Sequence, residues 1–135
     1  MKPLFQNPHI QTLYATYYPR PQLSDLRSER FELEDGDFVD CVWYRPDACD
    51  LQAPVVVLFH GLTGSVHSPY ILRTMQRLGG EGYRVVLMHF RGCSGVPNRL
   101  PRSYHSGDTV DAIAWIRRLR GRVRSPFCLR SAGRR

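Results

Sequence analysis

The stretch Val55-Val56-Val57-Leu58-Phe59-His60-Gly61-Leu62-Thr63-Gly64 decides the fold. Five large apolar residues run without a polar break into His-Gly and then a second glycine. An apolar run this short, rich in β-branched residues and stopped by glycine, predicts a strand buried on both faces. Such strands are mostly parallel ones flanked by helices, so this is a central strand of an α/β sheet. The glycines free the backbone just past its carboxyl end, where open α/β sheets place their ligands.

Downstream, Ser68-Pro69 predicts a helix start, with serine as cap and proline at the first position. Ile71, Leu72, Met75 and Leu78 fall on one helical face, and Gly79-Gly80 and Gly82 are expected to end it. Tyr83 to Phe90 predicts the next strand, completing a βαβ unit whose crossover is expected to be right-handed. Arg91 to Ser103 reads as a long polar loop. Ser106 then caps a second helix with Asp108 in its first turn and Ala112, Trp115, Ile116 and Leu119 on its apolar face. Pro126 to Leu129 reads as the start of another buried strand, cut short by Arg130 to Arg135.

Upstream, Phe31-Glu32-Leu33 alternates apolar and polar residues, Asp35-Gly36 supplies a turn, and Phe38 to Tyr44 continues as a second strand. Asp-Gly between such runs is a strong hairpin signal. Pro46 to Ala53 reads as a loop. Asn7 to Tyr14 predicts a short helix start with Pro8 at its first position, stopped by Tyr17-Tyr18-Pro19-Arg20-Pro21.

The 135 residues suffice for one domain, and a hydrophobic share of 42% argues against disorder. No apolar run approaches the roughly 20 residues of a membrane helix, and Met1 to Asn7 lacks the apolar core of a secretory signal. Cys41, Cys49, Cys93 and Cys128 show no C-x-x-C spacing. A cytoplasmic location with reduced thiols is the expectation. The formal charge of +7 lies in the tail: residues 117 to 135 carry eight arginines and no acid, leaving a net −1 on the first 116. Nucleic-acid binding is therefore not expected, because its footprint would be a basic face of the folded body.

The order hairpin, parallel strand, His-Gly turn, helix, strand resembles the α/β-hydrolase fold. More narrowly, the chain resembles the YheT-type hydrolases. The supporting blocks are Asn7-Pro8-His9-Ile10-Gln11-Thr12-Leu13, Asp35-Gly36-Asp37-Phe38-Val39-Asp40 and Phe59-His60-Gly61-Leu62-Thr63-Gly64-Ser65 with Ser68-Pro69-Tyr70. They continue as Met88 through Arg99 and as Tyr104-His105-Ser106-Gly107-Asp108. Several blocks in order are far more specific than one short motif. The resemblance implies hydrolysis of a small-molecule carboxylic ester, with no cofactor and no metal. It covers roughly residues 5 to 129, so 1–129 is read as only the opening part of that domain and 130–135 as an arginine-rich tail outside the family pattern.

In that fold one oxyanion-hole donor is backbone in the loop after the third strand. By position it would be the Leu62 N–H, with Gly61 allowing close approach and His60 supporting the loop. A fixed N–H suits this task because it needs no reorganisation as charge develops. The ordinary alternative is a tight strand-to-helix turn. The nucleophile elbow requires G-x-S-x-G, and no window in the sequence satisfies it. Gly92-Cys93-Ser94-Gly95-Val96 comes nearest, but it ends in valine and follows the fourth strand, not the fifth. Ser131 lacks the pair of flanking glycines, with Leu129 in place of the first. No catalytic residue is therefore assigned, and the nucleophile, acid and base are expected beyond Arg135.

The histidines have ordinary explanations. His60 braces its loop, His89 is a hydrogen-bonded core residue, and His9, His67 and His105 sit near helix starts. Asp108 and Asp111 are first-turn acids, and no spacing suggests a metal site. The expectation is an α/β-hydrolase chain truncated before its elbow and inactive alone. The competing expectation is a non-catalytic interaction piece completed by a second chain. With β-strand 55–59 left as an exposed apolar edge, aggregation or self-association is expected. The arginine-rich ending has the character of an out-of-frame extension.

Overall fold

The computed structural model describes residues 19–45, 50, 52–105, 107–122 and the backbone of 127–131. The helix start expected at Asn7 to Tyr14, most of the loop after Arg45 and the Ser106 cap lie outside these residues.

Valine-rich and alternating segments form one five-stranded sheet. Its strands are β1 (Leu26–Glu32), β2 (Phe38–Tyr44), β3 (Val55–Phe59), β4 (Arg84–Met88) and β5 (Phe127–Ser131). They lie in the order β1-β2-β4-β3-β5. β1 and β2 are antiparallel, as are β2 and β4, whereas β3 runs parallel to both β4 and β5. Helix α1 (Pro69–Gly80) connects β3 to β4, and α2 (Val110–Arg122) precedes β5.

The two-residue period of a strand sorts its side chains to the two faces of the sheet. Val56 and Leu58 of β3 join Val85 and Leu87 of β4 and Val42 and Tyr44 of β2 against Ile71, Leu72, Met75 and Leu78 of α1. Val55 and Val57 join Val86, Met88, Cys41 and Trp43 against Trp115 and Leu119 of α2. Val55 through Leu58 are all essentially inaccessible, which accounts for the unbroken apolar run. Each such side chain contributes roughly 1.5–3 kcal/mol of transfer free energy, so β3 anchors both halves of the core.

Four expectations need correction. β1 begins at Leu26, well before Phe31, because it is an edge strand with mostly polar outward side chains, and its alternation is weak in sequence. Gly79 lies inside α1 and does not end it, whereas Gly80 is its last residue, as expected. A Cβ on Gly79 would come within 2.5 Å of the Tyr44 ring, so this glycine lets helix and sheet approach closely. The chain reverses two residues after the helix ends, at Gly82, whose φ is +88°. α2 starts at Val110, with Ile113 N–H bonded to the Thr109 carbonyl, so Asp108 precedes it and Asp111 is its first-turn acid. Finally, β3 is not an edge. Phe127 to Ser131 pair with Val55 to Phe59 along their whole length, Arg130 opposite Leu58 and Ser131 opposite Phe59. Parallel pairing draws on backbone groups that every residue other than proline supplies, so a change in side-chain character at Arg130 does not stop the strand. Among the described residues, that side of the sheet ends at β5.

Candidate functional site

β3 and β4 both deliver their carboxyl ends to one rim of the sheet, and the loops that follow meet there. His60 is the first residue after β3, and only 5% of it is exposed. Its Nε2 accepts the Phe90 N–H at 3.1 Å, which requires a lone pair on that nitrogen. The proton is therefore on Nδ1, which donates to the Gly61 carbonyl at 2.7 Å. His89 repeats the arrangement. Its Nε2 accepts the Val66 N–H at 3.0 Å, and its Nδ1 donates to the Asp40 carbonyl at 3.1 Å. Burial lowers the pKa of both rings, against the smaller raising effect of these backbone hydrogen bonds. Both are neutral struts at pH 7. Each ring has spent both nitrogens on backbone, so neither can serve as a base without releasing a loop.

The turn between them is tightly specified. Gly64 N–H bonds to the Gly61 carbonyl at 3.0 Å, and Thr63 adopts φ +55°, a conformation unusual for a β-branched residue. The sterically obligatory glycine here is Gly64. A Cβ there would lie 2.8 Å from His60 Cβ and 2.9 Å from the Tyr70 hydroxyl, whereas one on Gly61 would meet only that hydroxyl, at 3.7 Å. Two phenols complete the loop. The Tyr70 oxygen accepts Gly61 N–H and the Tyr104 oxygen accepts Thr63 N–H, each at 2.9 Å. Tyr104 is itself held by stacking on Phe90 at 4.9 Å and by an edge contact with His60 at 6.0 Å. Between these anchors Leu62 stands out, 83% exposed, at the carboxyl end of β3.

The neighbouring loop, after β4, is organised by charge. Arg91 is buried and bonded to both carboxylate oxygens of Asp111 at 2.6 and 2.8 Å, to Asp37 at 3.1 Å and to Asp35 at 2.8 Å. The Asp111 hydrogen bonds raise its pKa further. Burial alone would raise the Asp37 carboxyl, yet hydrogen bonds from Asn98 and from the Arg99 backbone hold it down to about 2. Asp108 is buried and paired with Arg102. Asp108 and Asp111 thus each have an arginine, and the structure does not bring them together as an acid–base pair.

Ser94 and Cys93 are equally committed. Ser94 Oγ donates to the Asp40 carboxylate at 2.8 Å. Burial raises the Cys93 thiol pKa, outweighing the lowering effect of the Tyr104 phenol. Neither has a histidine positioned to take its proton among the described residues. No group of three His, Cys, Asp or Glu side chains that could hold a metal converges among those residues either. No helix among them is long and apolar enough to cross a membrane.

Sequence reasoning placed His60, Gly61 and Leu62 in the loop after β3, where the structure has them, but missed the two tyrosines and the Arg91 node. Tyr70 was visible only as part of Ser-Pro-Tyr, and Tyr104 lies 41 positions from the amide that it holds. A buried arginine runs against the general preference for exposure, so nothing local singles it out.

The family defined by the alpha/beta hydrolase fold matches residues 54–124, more than half of the chain. "Putative esterase YheT" of Escherichia coli (strain K12) is 44% identical over 117 residues, covering 84% of this chain and 34% of that protein. "Phospholipase ABHD3" of Homo sapiens is 28% identical over 130 residues, covering 79% of this chain and 32% of that protein. The chain thus spans about a third of the length of the curated relatives it matches. Among solved structures, an alpha-beta serine hydrolase homologue from Coxiella burnetii superposes with a TM-score of 0.61 at 14% identity. That match covers 84% of this chain and 53% of the other, and at this identity it speaks to the fold alone.

Proposed function

The chain belongs to the α/β-hydrolase fold family, and on that premise we propose that it carries the oxyanion-binding arm of a carboxylester hydrolase without the nucleophile. The observation that carries the reading is the loop after β3. It leaves the Leu62 N–H without an acceptor among the described residues, at the carboxyl end of a parallel strand, on a turn braced from four sides. A fixed amide dipole in that position stabilises negative charge developing on a tetrahedral ester intermediate. Gly61 carries no side chain that would shield the amide, and His60 supports the loop through its neutral ring.

The other half of the chemistry is lacking. G-x-S-x-G does not occur in the sequence, and in the loop after β4 Ser94 is spent on Asp40 while Cys93 is half-buried beside Tyr104 with its thiol pKa raised. The loop binds charge that another group must generate. The 135-residue chain by itself is inactive toward esters. Incubation with p-nitrophenyl acetate should give no turnover above buffer. Reproducible turnover abolished by a serine-directed fluorophosphonate would overturn the reading.

A second reading is favoured by the sheet itself. β5 forms the end of the strand order, and among the described residues no strand pairs with its outer edge. An open parallel edge invites a further strand. On this reading the chain is an interaction piece, completed by a polypeptide bearing G-x-S-x-G and a late histidine. Co-purification with such a chain and recovery of fluorophosphonate labelling in the pair would favour it. Neither would occur under the first reading alone.

A further inference from the structure

The loop after β3 presents four consecutive backbone amides, Gly61 to Gly64, yet the surroundings treat them unequally. Gly64 N–H closes the turn onto the Gly61 carbonyl. Gly61 N–H goes to the phenol of Tyr70, on the first turn of α1, and Thr63 N–H goes to the phenol of Tyr104, which arrives from the distant loop after β4. Leu62 N–H meets no acceptor among the described residues. We propose that Tyr70 and Tyr104 are positioning residues that select which amide the loop offers to an anion, by occupying the donors on either side of Leu62. The inference rests on the oxyanion reading of this loop, and it assigns two side chains that the reading does not need.

The physical reason is competition among adjacent donors. A turn with three unsatisfied N–H groups could tilt any one of them toward an incoming negative charge, and the flexible peptide planes would settle on different compromises. Anchoring the first and third amides fixes the planes on both sides of the second. The anchors are well made for this. Tyr104 is wedged between Phe90 and His60, so its hydroxyl cannot swing away. Tyr70 packs against Gly64, where even a methyl group would collide with its oxygen. A phenol is also a neutral acceptor, so it holds an amide without placing a carboxylate beside the site, where like charge would repel the anion.

The test is residue-resolved amide hydrogen exchange on the 135-residue chain, with rates corrected for intrinsic sequence effects. Gly61 and Thr63 should be protected and Leu62 should not. Tyr70→Phe should speed exchange at Gly61, and Tyr104→Phe at Thr63, each by about fivefold or more. The histidine-held amides of Val66 and Phe90 should stay unchanged. That selectivity separates local anchoring from general loosening, and both substitutions keep the aromatic ring and its stacking. If Gly61 and Thr63 exchange as fast as Leu62 in the unmodified chain, the inference fails without recourse to any variant. It also fails if neither substitution releases its own amide. Titration with methylphosphonate then addresses the underlying reading separately. A Leu62 amide resonance that moves with the anion, and moves less in the two variants, supports both. Protected flanking amides with an unmoved Leu62 resonance show that the tyrosines anchor the loop but overturn the oxyanion role and, with it, the selection of an amide for an anion.

Discussion

Two loops leave the carboxyl ends of the neighbouring parallel strands β3 and β4, and they are built by opposite means. The loop after β3 is held by neutral groups: two imidazoles and two phenols, all bonded to backbone. The loop after β4 is held by ions, with Arg91 buried among Asp35, Asp37 and Asp111 and Arg99 reaching back to Glu32. The difference teaches where charge can be tolerated. Ion pairs give directional strength to the loop after β4, where one buried arginine gathers three carboxylates. On the proposed oxyanion reading, a loop that receives negative charge is better braced by groups with none of their own.

The comparison is broken most severely at Arg91. Arg91→Leu should cost roughly 3 kcal/mol or more, because it leaves the buried Asp37 and Asp111 carboxylates uncompensated, and urea unfolding would measure it. A loss below about 1 kcal/mol would mean that the ionic loop is no more demanding than an exposed pair. On the neutral side, Gly64→Ala should cost about 1–3 kcal/mol by pressing a methyl group into His60 and Tyr70. Gly61→Ala is the control. Its Cβ meets only an ordinary contact, so the thermal midpoint should barely shift. An equal loss at both glycines would contradict the packing described for the turn.

Ser94→Ala sharpens the comparison on a smaller scale. It removes one donor to Asp40, which keeps its Arg30 partner, and should lower stability by about 1 kcal/mol. Fluorophosphonate labelling should be absent in both forms. Labelling that disappears with the substitution would make Ser94 a nucleophile after all. At neutral pH the smallest effect belongs to titration. His60 and His89 have folded pKa values below the ordinary 6.5 because burial disfavours the imidazolium. Unfolded chains then bind more protons than folded ones as pH falls, so the stability present above 6.5 declines as pH drops through the folded values. Asp37, held down to about 2, adds a second decline between its ordinary 3.8 and that value. Unfolding free energies measured from pH 8 to pH 2 should show both limbs, and His89→Gln should shrink the upper one alone. An upper limb unchanged in that variant would move the titration to other groups.

How far these features are legible in the chain follows from their range. Val55 to Phe59 is read from its own residues because a strand buried on both faces has no polar alternation. The α1 face is read from 3.6-residue spacing, and Ile71, Leu72, Met75 and Leu78 are all buried as expected. The start of α2 is misplaced by a few residues because Asp108 resembles a first-turn acid, while its real partner, Arg102, lies outside the helix. The end of β5 is misjudged because side-chain character says little about a pairing made by backbone. At the site, His60-Gly61-Leu62 is conspicuous as contiguous sequence. Tyr104, Phe90 and His89 contribute from tens of residues away and carry no local mark.

The linear chain therefore determined the elements, their order, the two-faced central strand and the His-Gly turn, because these depend on period and on backbone freedom within a few neighbours. Only the tertiary structure decided which histidine nitrogen bears the proton, which glycine cannot be replaced and which amide is left open. Those outcomes are set by contacts between residues that meet solely when β3 and β4 lie side by side. Hydrogen-bond partners are chosen by distance and angle in space, and spacing along the chain holds no record of either.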